Sequence, residues 1–238
     1  NRANQLIVET MLNDVLIPLD QELLLLLNGS RSVYFDRLID QLTTASTWIP
    51  LYVALLLMVV KNNASIRQVV FIIVCATLCV LLAGTVDDMF VKPMVARLRP
   101  THDPTIGILV DVVDGYRGGK YGFFSAHAAN TMSIAVYFSL LVRHKVFTLM
   151  MVGWSLLNCY TRLYLGVHYP IDILVGLTWG TLVGLLIWLV QRRFTTTLNS
   201  GFISSQFTST GYRLCDIDMV NVVLLLIYFY ALIVSCWA

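Results

Sequence analysis

Six apolar stretches, each close to the length of a bilayer-crossing helix, restrict what this chain can fold into. They are Ala45–Val60, Val69–Val86, Ala128–Val142, Val146–Tyr160, Ile171–Val190 and Val220–Trp237. A spanning helix takes about twenty apolar residues, with a lower limit near seventeen. The first and third stretches are short by themselves and are expected to be extended by polar residues buried against neighbouring helices. Only 13% of residues are charged, against about a quarter in soluble domains, and the mean hydropathy is +0.76. The expected fold is all-α: a polytopic membrane helical bundle of about six transmembrane helices.

The region ahead of Trp48 reads differently. Leu23–Leu27 is an apolar run too short to cross a bilayer. Phe35, Leu38, Ile39 and Leu42 follow the i, i+3, i+4, i+7 rhythm of an amphipathic helix, with Asp36, Arg37, Asp40 and Gln41 on the other face. Residues 1–44 are therefore expected to form interfacial helices, with a turn at Asn28-Gly29-Ser30. Residues 45–190 form the transmembrane core, 191–218 a cytoplasmic linker and 219–238 an additional C-terminal span. The start shows no basic region followed by an apolar core, so no signal peptide is expected. Met11 offers a natural start.

The net charge of +2 and the lack of a Lys/Arg-rich run exclude nucleic acid as a partner. Four of the five cysteines lie in or beside apolar segments; Cys75 and Cys79 share a helix face and read as small apolar filler. The loops after the first, third and fifth spans carry Lys61, Arg67, Arg143, Lys145, Arg192, Arg193 and Arg213. The positive-inside rule places those loops in the cytoplasm. Lys92, Arg97, Arg99, Arg117, Lys120 and Arg162 then lie outside. Glu9, Asp14, Asp20 and Glu22 form an acidic leader on that same side.

Three polar clusters border the spans. Lys92 and Arg99 are seven residues apart, which on a continuous helix points both the same way; Pro93 weakens that geometry. Two cations on one face imply an anion between them, although snorkelling to headgroups reads equally well. Ser125-Ala126-His127 opens an apolar helix, so the serine and adjacent N–H groups form an anion site at a helix N-terminus; a plain N-cap is the alternative for Ser125. His168 and Asp172 are four apart. A carboxylate on one ring nitrogen leaves the other as a lone-pair nucleophile. Arg162 adds a planar clamp for phosphate. Asp87 and Asp88 read as helix-end charges that pair with Lys92 or Arg97. Arg117 and Lys120 sit in the glycine-rich loop Thr101–Phe124 as candidates for headgroup binding.

Lys92, six residues, then Arg99-Pro100 resembles the first motif of the type 2 phosphatidic acid phosphatases, the PAP2 superfamily. Ser125-Ala126-His127 resembles its second motif, usually Pro-Ser-Gly-His. Thr161-Arg162, His168 and Asp172 resemble the third, usually opened by Ser-Arg. Phe124, Ala126 and Thr161 depart from the pattern without removing a reactive group. The resemblance covers roughly residues 48–188. It implies a PAP2-like bundle and a phosphatase without cofactor or metal. It also implies the roles. His168 attacks phosphorus, Asp172 supports it and His127 protonates the leaving oxygen. Lys92, Arg99, Arg162, the Ser125 hydroxyl and the Ala126 N–H hold the phosphate oxygens. Three cations suffice to neutralise a phosphoryl group in transfer.

The expected partners are the lipid bilayer and a membrane lipid phosphate. Candidate substrates are undecaprenyl pyrophosphate, phosphatidylglycerophosphate, phosphatidate and lipid A phosphates. The short loops resemble bacterial members, which places the chain in the inner membrane with its site facing the periplasm. Lipid A and undecaprenyl pyrophosphate are favoured because both present phosphate there. A non-catalytic anion or headgroup transporter would use the same cations, but it has no need of both histidines and Asp172. A vanadate-dependent haloperoxidase shares the motifs in a soluble fold, which the spans count against.

Overall fold

The computed structural model describes residues 15–30, 32–194 and 206–237. Met11, Glu9, Asp14 and the middle of the expected linker lie outside them. Helices α1 (Ile17–Leu27) and α2 (Val33–Thr43) are joined at the expected turn, where Gly29 takes a positive φ of 65°. A 3-10 turn, Ala45–Trp48, leads into α3 (Ile49–Asn62). Then follow α4 (Ile66–Val95), α5 (Ala126–Val142), α6 (Lys145–Tyr164), α7 (Pro170–Phe194) and α8 (Leu214–Trp237). The six expected spans correspond to α3 through α8.

Among the described residues, four stretches are long and apolar enough to cross a membrane: α3 with its leading turn, α4, α7 and α8. Their outer faces carry exposed Val74, Leu81, Leu182, Leu186, Leu226 and Phe229, while Asp87, Arg162, His168 and Asp172 are buried. Charge inside and hydrocarbon outside is the pattern of a protein whose surroundings are lipid. Helix α5 is shorter, about 26 Å at 1.5 Å per residue. It is the central helix, enclosed by α4, α6 and α7.

The tightest packing is α5 against α7. Gly176, Gly180 and Gly184 present backbone to the Ser125, Ala129 and Ser133 carbonyls, one helical turn apart on each side. Small residues at this spacing let two helices approach closely inside a membrane. A Cβ at Gly180 would run into the Ala129 carbonyl, a backbone atom with little freedom to move. Gly180→Val is expected to cost about 3 kcal/mol or more, read as a lower melting temperature in detergent micelles.

The N-terminal helices pack on the core. Helix α1 buries Asp20 and Leu24 and touches α6 and α7. Helix α2 buries Ile39 and Leu42, two residues of the expected apolar stripe, against α6 and α8. At the opposite end, Lys61 Nζ lies 2.7 Å from Asp216 Oδ1 and ties α3 to α8.

The helix carrying Lys92 does not run on to Arg99. Residues Asp87–Val91 form a π turn, a regular turn follows to Val95, and Ala96 adopts a left-handed conformation with φ 50° that ends the helix. Arg99 arrives instead on an extended segment, where its N–H bonds the Lys120 carbonyl at 3.0 Å. The continuous-helix geometry for Lys92 and Arg99 is thus corrected: a helix end and a loop pairing bring them together.

Candidate active site

The third motif is built on the tight connection between α6 and α7. The Val167 N–H bonds the Arg162 carbonyl at 3.2 Å, and Gly166, at φ 63°, allows the reversal. His168 follows and is buried, with 1% exposure. Asp172 lies in the first turn of α7 and accepts the Tyr169 N–H at 3.0 Å through Oδ2. His168 Nδ1 stands 3.7 Å from that same oxygen. This is an electrostatic contact longer than a hydrogen bond, because the Tyr169 N–H already holds Oδ2. Burial first, then the charges of Arg99, Arg162 and Lys92, push the His168 imidazole well below its ordinary range, so the ring is neutral. A neutral imidazole has the lone pair a nucleophile needs.

Arg162 is buried and prearranged. Its Nη1 donates to Thr43 Oγ1 at 2.7 Å and its Nη2 to the Tyr116 hydroxyl at 3.1 Å. Arg99 donates from Nε to the Tyr121 carbonyl at 3.1 Å. Gly118, at φ 66°, lets the loop close over the Arg99 guanidinium, where a Cβ would collide. Arg162 Nε and Arg99 Nη1 are both buried without a protein acceptor. Burial, then repulsion from Arg162, pulls Arg99 below the usual guanidinium range. Two guanidinium groups, each with a buried spare donor, form a site for a multivalent oxyanion.

Lys92 Nζ contacts Asp87 Oδ2 at 2.9 Å and Asp88 Oδ1 at 2.5 Å. The expected pairing of the two aspartates with Lys92 is present. Asp87 does more than end a helix: its Oδ1 accepts the Phe124 N–H at 3.0 Å, fixing the lysine to the segment that opens the second motif. Ser125 is the N-cap of α5, its hydroxyl accepting the Ala128 N–H at 3.4 Å, and its own N–H bonds the Asp172 carbonyl at 3.1 Å. Ala126 begins the helix, in the first turn, where N–H groups lack intrahelical acceptors. His127 is exposed, and its ring feels the charges of Arg162, Arg99 and Lys92 as well as His168. All three motifs therefore share one electrostatic neighbourhood.

Arg117 and Lys120 are exposed on the loop. Arg117 Nη1 donates to the Thr101 carbonyl at 2.9 Å, and Lys120 lies 5.4 Å from the Tyr121 ring. Among the described residues no group of three or more His, Cys, Asp or Glu is placed to hold a metal ion.

The sequence reading missed Arg97, Asp20, Thr43 and Tyr116. Arg97 Nη1 donates to Asp172 Oδ1 at 2.8 Å and its Nη2 to Asp20 Oδ2 at 2.5 Å. Its guanidinium also lies 4.0 Å from the Tyr169 ring. The signals were present but unspecific: an acid within an apolar run at Asp20, and a cation two residues before Arg99.

The comparisons with known proteins point to one family. Residues 68–196, more than half of the chain, match the PAP2 superfamily. A lipid A 4'-phosphatase of Bacteroides thetaiotaomicron is 35% identical over 79% of this chain and 83% of its own length. A lipid A 4'-phosphatase of Porphyromonas gingivalis is 33% identical over 74% of this chain and 75% of its own. A transmembrane PAP2 type phosphatidylglycerolphosphate phosphatase from Bacillus subtilis superposes with a TM-score of 0.57. It covers 81% of this chain and 94% of its own at 18% identity, a likeness of fold. With its apolar helices, its three motifs and these relatives, the chain is a multi-pass membrane protein that belongs to the PAP2 superfamily.

Proposed function

We propose that this protein is a lipid phosphatase that releases phosphate from lipid A at the periplasmic face of the bacterial inner membrane, through a phosphohistidine. The observation that carries the reading is the setting of His168: a buried, neutral imidazole in the field of Lys92, Arg99 and Arg162, with Asp172 behind it. Nδ1 turns to Asp172, so Nε2 is the attacking atom. It forms a bond to phosphorus as the bond to the lipid oxygen breaks, and His127, protonated against the negative charge of the bound phosphate, gives its proton to that oxygen. Water then attacks phosphorus as the P–N bond breaks, His127 takes the proton from that water, and inorganic phosphate leaves with the His168 imidazole neutral again. Arg99 Nη1, Arg162 Nε, Lys92 and the first-turn N–H groups of α5 hold the phosphoryl oxygens. Lipid A is favoured because two relatives bearing that name align over about three quarters or more of both chains. An apolar body with its polar site at the helix ends suits a substrate arriving sideways from the leaflet.

The test is phosphate release by purified protein from lipid A, undecaprenyl pyrophosphate, phosphatidylglycerophosphate and phosphatidate, each with and without EDTA. Release from lipid A, unchanged by chelator, is expected. Release confined to another lipid would overturn the substrate, and loss with EDTA would overturn the metal-free reading. His127→Ala is expected to slow turnover by about 10²–10⁴-fold, the usual contribution of a general acid. Steady-state kinetics on the preferred lipid checks it.

A further inference from the structure

We infer that Asp20, on the N-terminal helix α1, is a positioning residue for the His168 nucleophile, acting through Arg97 and Asp172. The inference rests on the phosphatase reading above. Asp20 is buried, with 2% exposure, although it belongs to a helix outside the three motifs. Both of its carboxylate oxygens are used. Oδ2 accepts Arg97 Nη2 at 2.5 Å, and Oδ1 accepts the Ile171 N–H at 2.9 Å. Ile171 sits between His168 and Asp172, at the start of α7. Asp20 thus holds the turn that carries the nucleophile and the cation that holds its carboxylate.

Charge counting gives a reason for the second acid. A phosphorylated imidazole that keeps its ring proton is cationic, and a carboxylate beside it is stabilising. Arg97 lies on Asp172 at 2.8 Å and cancels that carboxylate. Asp20 on the far side of Arg97 restores one net negative charge to the group. Tyr169 completes the enclosure: its ring covers Arg97 and its hydroxyl donates to Asp103 Oδ2 at 2.7 Å.

The experiment measures kcat and KM of the full-length protein in detergent micelles, with p-nitrophenyl phosphate as the probe. Asp20→Asn keeps the shape and removes the charge. Its kcat is expected to fall on the order of 10–100-fold, the scale of a small misplacement of a reacting group, with KM within about twofold. Arg97→Gln leaves two carboxylates unbalanced. The double variant Asp20→Asn/Arg97→Gln returns the cluster to one negative charge and is expected to turn over at least as fast as Arg97→Gln alone. Residues that act as one unit are non-additive in this way. Wild-type kcat in Asp20→Asn would overturn the inference, as would a double variant slower than Arg97→Gln by the full Asp20→Asn factor. If Asp20→Asn alone does not fold, the double variant is compared with Arg97→Gln directly: equal or faster turnover supports the inference, and slower turnover overturns it. His168→Ala is run alongside. If it retains turnover, the phosphatase reading itself fails; if it is inactive while Asp20→Asn is unimpaired, only this inference fails.

Discussion

His168→Ala is expected to abolish phosphate release, with kcat lower by about 10⁴–10⁶-fold, the scale seen when a nucleophile is removed from a unit that works together. The loss should exceed that of His127→Ala, because the general acid eases a step whereas the nucleophile creates it. Alanine at position 168 leaves Arg99, Arg162 and Lys92 untouched. Phosphate should therefore still bind, and inorganic phosphate should inhibit the wild type and occupy the variant with similar affinity. Isothermal titration with phosphate, beside a release assay, separates the two effects. A transporter of anions or headgroups would behave in the opposite way and keep its flux in vesicles. Retained phosphate release would remove His168 from the mechanism.

Arg97→Gln carries the second large effect, on stability as well as turnover. Asp20 and Asp172 are buried and both rest on this one guanidinium. Without it, two carboxylates face one another away from water. Removing one partner of a buried ion pair costs about 3–5 kcal/mol, because the remaining charge is left uncompensated. For a chain of this size that corresponds to a melting temperature lower by roughly 10 °C. Turnover is expected to fall at least about a hundredfold, since Asp172 loses the contact that fixes it behind His168. Arg97→Lys should recover part of the stability and less of the turnover. A lysine supplies one point charge, while the forked group reaches two acids at once. Thermal melts monitored by tryptophan fluorescence, paired with kinetics, check both halves.

The spans were legible in the sequence because hydrocarbon length is a strong and local signal. Five of the six expected stretches lie within single α-helices and the first runs through the 3-10 turn into α3; α4 and α6 extend past theirs, with the polar side chains of Asp87 and Arg162 buried there. The candidate site residues Lys92, Arg99, His127, Arg162, His168 and Asp172 could be picked out in the same way, because they are set at motif spacing, and the fold gathers them around His168. What was not legible depended on chain crossings that no local pattern encodes. Asp20 and Arg97 are 77 positions apart, and Arg162 and Thr43 are 119 apart. An acid in an apolar run must find a partner, but the sequence does not name it. The Lys92–Arg99 geometry failed for a different reason: the left-handed Ala96 ends the helix where a smooth periodicity would have carried it on. The glycine ridge of α7 at 176, 180 and 184 drew no reading from the sequence, because its meaning lies in the backbone of α5 on the other side.

An α-helix advances about 100° per residue, and a π turn takes in one residue more than the regular winding. The winding at Asp87–Val91 therefore offsets the angular phase of α4 between its two parts. The long part, Ile66–Val86, can aim its leucines and valines at lipid; the short part after it can aim Lys92 at Asp87. One uninterrupted rod would tie these two bearings together, so that any rotation improving the fit to hydrocarbon would swing the ammonium off target.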